Sequence, residues 1–72
     1  MNVQELVRMT NQIADYFRAY PEDEAVAGVA EHIRQFWDPR MREGMRAHLS
    51  AGGEGLDGLA RRGAEAALGV AA

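Results

Sequence analysis

Two prolines, Pro21 and Pro39, constrain this 72-residue chain more than any other feature. A proline ring pushes the residue before it out of helical geometry, yet suits the first turn of a helix, where its missing N–H is not needed. Helices must therefore stop just before each proline and are free to begin again at it. Between these marks the apolar residues recur at spacings of three and four, the period of an α-helix with one buried face.

Val3, Leu6, Val7, Thr10, Ile13, Ala14, Phe17 and Tyr20 share one stripe, opposite Glu5, Arg8, Gln12, Asp15 and Arg18. This pattern predicts a first helix over about 3–20. Glu22, Asp23 and Glu24 follow Pro21 and favour a helix N-terminus through the helix dipole. Ala25, Val26, Val29, Ala30, Ile33, Phe36 and Trp37 then make a second stripe, predicting a helix over 22–37. Asp38 is placed to cap a third helix with Pro39 at its first position. Met41, Met45, His48 and Leu49 carry that helix over 39–50. Gly52-Gly53-Glu54-Gly55 reads as a flexible turn. A fourth helix spans 56–68, with Leu56, Leu59, Ala60, Gly63, Ala66, Ala67 and Val70 on its apolar face and Gly69 to Ala72 fraying. The expected fold is all-α: a single domain over 1–72, a small bundle of three to four short antiparallel helices whose short connections pack neighbours together.

The residue inventory argues against catalysis. The chain has no cysteine and no lysine. Thiolate metal sites, iron–sulfur ligation, cysteine nucleophiles and lysine bases are therefore excluded. His32 and His48 fall on different helices and no metal-ligand spacing joins them, so neither a metal nor a catalytic site is expected. Met1, Met9, Met41 and Met45 read as packing residues. The formal net charge is −3, which disfavours a free-standing nucleic-acid binder. No stretch approaches the ~18 apolar residues of a membrane span. The start MNVQELVRMT lacks the basic and apolar regions of a secretory signal, and a cytoplasmic location is expected.

Charge is unevenly spread. Residues 1–31 carry two arginines against six acidic residues, whereas residues 32–50 carry four arginines against two. The basic segment holds the single tryptophan and the Asp38-Pro39 turn. Trp and Arg are enriched where proteins bind each other. Arg34, Phe36, Trp37, Asp38, Pro39, Arg40 and Arg42 are therefore the candidate partner-binding residues. Phe36 and Trp37 have a second reading as core. Arg40 and Arg42 lie where the helix dipole disfavours positive charge, so carboxylates should compensate them, from Asp38 and Glu43 or from a partner.

Two segments carry a family resemblance: Met9-Thr10-Asn11-Gln12-Ile13-Ala14-Asp15-Tyr16-Phe17 and His32-Ile33-Arg34-Gln35-Phe36-Trp37-Asp38-Pro39-Arg40-Met41-Arg42. Gly52-Gly53-Glu54-Gly55-Leu56 adds a weaker match. Together they resemble the small delta subunit of soluble, NAD-dependent, molybdenum-containing formate dehydrogenases. The resemblance implies a non-catalytic accessory subunit, in a complex whose catalytic alpha subunit holds bis-molybdopterin guanine dinucleotide and iron–sulfur clusters. It further implies beta and gamma partners carrying FMN and the NAD site, and no cofactor in this chain. Two other readings stand beside it. One is a small helical adaptor or regulator of another protein. The other is a helix-turn-helix DNA binder reading through Arg40, Arg42 and Arg46.

Overall fold

The computed structural model describes residues 2–70 of the chain. Asn2 opens the first helix: its side-chain oxygen accepts from the Glu5 N–H at 2.9 Å, satisfying one of the donors a helix start leaves unpaired. Helix α1 then runs Val3–Phe17, stopping a turn before the expected end. The cause is Pro21. The residues ahead of it tighten into three-residue turns, with Arg18 N donating to Asp15 O at 3.4 Å and Tyr20 N to Phe17 O at 3.0 Å. Helix α2 spans Glu22–Phe36 and carries three acidic residues in its first turn.

Trp37 and Asp38 are both extended, and helix α3 follows over Pro39–Ser50. Asp38 caps it by accepting from Met41 N at 2.9 Å. This two-residue elbow turns α3 away from α2, so these consecutive helices scarcely touch. The packing partner of α2 is instead α4, while α3 packs on α1 and α4. Helix α4 spans Gly58–Leu68, two residues later than its periodicity suggests, because Asp57 caps it through Ala60 N at 2.8 Å. Its buried face is Leu59, Ala60, Gly63, Ala64 and Leu68, whereas Ala66 is exposed. A run of alanines offers no contrast from which to choose between these faces. The expected fraying reaches Ala71 and Ala72, and the packing reading includes Met1; these lie outside the described residues.

The result is an all-α bundle with a core of Leu6, Ala14, Val29, Ile33, Trp37, Met45 and Leu49 closed by the small residues of α4. Thr10 is fully buried inside it, its hydroxyl donating to Leu6 O at 2.6 Å. No buried side-chain polar atom among the described residues lacks a partner.

The glycine turn is tethered rather than free. Gly53 N donates to His48 O at 2.8 Å, and His48 Nε2 lies 2.7 Å from Glu54 O. Arg61 donates to Gly52 O at 2.8 Å. Asn11 of α1 grips the far end: its amide donates to Gly55 O at 3.0 Å and its oxygen accepts from Asp57 N at 3.1 Å. Arg18 adds a bond to Asp57 at 2.8 Å beside one to Asp15 at 2.7 Å. These hydrogen bonds, to Asp15 first and then Asp57, raise the Arg18 pKa above its ordinary value. Gly52, Gly53 and Gly55 all have positive φ, which a side chain would strain.

Close approach of α2 and α4 depends on Gly63. A Cβ there would lie 2.3 Å from Val29 Cγ1 and 2.5 Å from Val29 Cβ. Gly63→Ala gains up to ~1 kcal/mol of helix propensity. Overpacking costs ~1–3 kcal/mol, and the branch point of Val29 has no flexible end to move aside, so that cost wins. The expected result is a lower urea midpoint for Gly63→Ala.

Candidate functional site

The elbow and the face beside it make the candidate site. Trp37 does not lie on the surface. Only 4% of it is exposed, and its indole belongs to the core. Its expected role as a surface contact is corrected accordingly: the extended backbone at position 37 turns the side chain inward under α1. Phe36, one residue earlier, is 69% exposed. The two adjacent aromatic residues have thus divided the two sequence readings between them, one core and one surface. Core membership at Trp37 holds the elbow from below and leaves Phe36 standing on its rim.

The arginines of the elbow also separate. Arg42 donates to Trp37 O across the elbow, bracing the turn from above. Arg34 reaches across to Ala66 O on α4 at 3.0 Å and sits 3.7 Å from Glu31. Arg40 is exposed, with no ion pair among the described residues. Neither Asp38 nor Glu43 compensates Arg40 or Arg42. Asp38 is used as the cap of α3, and Glu43 pairs with Arg46 at 2.6 Å. Of the three arginines a DNA-reading α3 needs, only Arg40 is thus unengaged, on a chain of net charge −3. That arrangement does not suit phosphate neutralisation.

Beside the elbow, α1 and α2 leave an open apolar groove of about 610 Å³. Met9, Gln12, Ile13, Tyr16 and Phe17 line one side; His32, Phe36 and Trp37 line the other. Gly28 creates it. A Cβ at that position would fall 2.4 Å from the Phe17 ring, so glycine lets the ring lie against the α2 backbone as part of the floor. Tyr16 meets Phe17 edge to face, with ring centroids 4.9 Å apart, and His32 lies 4.8 Å from Phe36. Tyr16 is 72% exposed. The α1 side of this groove was missed by reading along the chain. Its signal is present, because Gln12 and Tyr16 lie one turn apart beside the buried stripe, but only the hairpin with α2 makes them part of a wall. An uncovered set of aromatic rings fits a protein-contact surface.

No group of three or more His, Asp or Glu side chains that might hold a metal occurs among the described residues, and none of their helices is long and apolar enough to cross a membrane. His48 is occupied with the glycine turn; His32 faces the groove.

The two elbow aromatics predict opposite stability effects. Trp37→Ala removes a core ring at ~3–5 kcal/mol, comparable with the ~3–5 kcal/mol that a chain this small commands. Its helical circular dichroism should collapse at room temperature. Phe36→Ala should shift the thermal midpoint little, since exposed substitutions stay within about 0.5 kcal/mol.

The family model described as the NADH-dependent formate dehydrogenase delta subunit FdsD matches residues 5–64, a span that includes both α1 and the elbow. No curated protein and no solved structure matches the chain.

Proposed function

The chain belongs to the NADH-dependent formate dehydrogenase delta subunit family, and from that membership we propose that it is a non-catalytic accessory subunit docking on the catalytic molybdenum subunit. In this reading the assembly, with its alpha, beta and gamma subunits, oxidises formate to CO2 and reduces NAD in the cytoplasm. The family match carries the reading, and the site chemistry supports it. The residues of this chain do not fit the complex's cofactors. Without cysteine there are no thiolates for an iron–sulfur cluster, and no glycine-rich nucleotide fingerprint occurs. In this reading bis-molybdopterin guanine dinucleotide, iron–sulfur clusters, FMN and the NAD site are carried by the other subunits.

What this chain contributes is a shaped surface. Phe36 supplies exposed apolar area at the elbow. Arg40 offers an unpaired guanidinium to a partner carboxylate, where a planar bidentate pair is favourable. Arg34 lies in the last turn of α2, half exposed. Asp38, Pro39, Trp37 and Arg42 set the angle of the elbow, acting on the partner through the geometry they hold. The docked subunit either stabilises the mature enzyme or keeps the catalytic subunit competent for insertion of the molybdenum cofactor.

Two measurements test this reading. Phe36→Ala combined with Arg40→Ala should reduce retention of the chain in the purified complex while the isolated chain keeps its helicity; unchanged retention removes the elbow from the docking surface. Deleting the chain then separates the two roles. Low molybdenum per catalytic subunit indicates a part in loading, whereas full loading in a complex that falls apart indicates a structural role.

A further inference from the structure

We draw no further inference here: the strongest candidate, the open apolar groove between α1 and α2 with Tyr16 and Phe36 exposed beside it, is a face for which nothing in the structure shows what covers it.

Discussion

Burial of one indole ring at a chain reversal organises this small bundle. Trp37 is the largest side chain in the core, yet it sits between two helices rather than within one. Its extended backbone brings the ring inward, and the same geometry lets Asp38 cap α3 and sends Arg42 back to the Trp37 carbonyl. Elbow angle, helix start and core packing are thus aspects of one local arrangement. A chain of this length has little core to spare, so loss of that ring is felt in every helix it touches.

The elbow also explains the order of packing. Because α3 is turned away, α2 is left with one face for α4 and another for α1. Alanine and glycine on α4 let it lie close to Val29. On the other side, Gly28 admits the Phe17 ring but nothing fills the space above it. The apolar groove follows from this asymmetry: one side of α2 is closed by a helix of this chain and the other side is open.

The hydrogen-bonding side chains of the chain are largely spent on the fold itself: Asn11 and Arg18 hold the glycine turn to α1, and Asp38 and Asp57 cap helices. This gives a physical meaning to the segment Met9–Phe17. Asn11 secures the loop on one side of α1, while Met9, Ile13 and Tyr16 build the groove on the other. The MTNQIADYF string thus serves the loop on one side of α1 and lines the groove on the other.

Much of the architecture was legible along the chain. Pro21 and Pro39 divide the helices through steric rules that act over one or two residues, and the cap at Asp38 follows from the same local chemistry. The stripes of α1 and α2 are legible because large apolar residues contrast with charged ones. Only tertiary structure decided the rest. Phe36 and Trp37 are neighbours of similar hydrophobicity, and which one enters the core depends on where α1 lies. In α4, the alanines gave no contrast, so contact with α2 and the cap at Asp57 chose the buried face. The groove is a property of two helices together; neither sequence segment contains it. Local sterics and periodicity determine where helices begin and end, whereas the assignment of a side chain to core, rim or groove needs the position of elements distant in sequence.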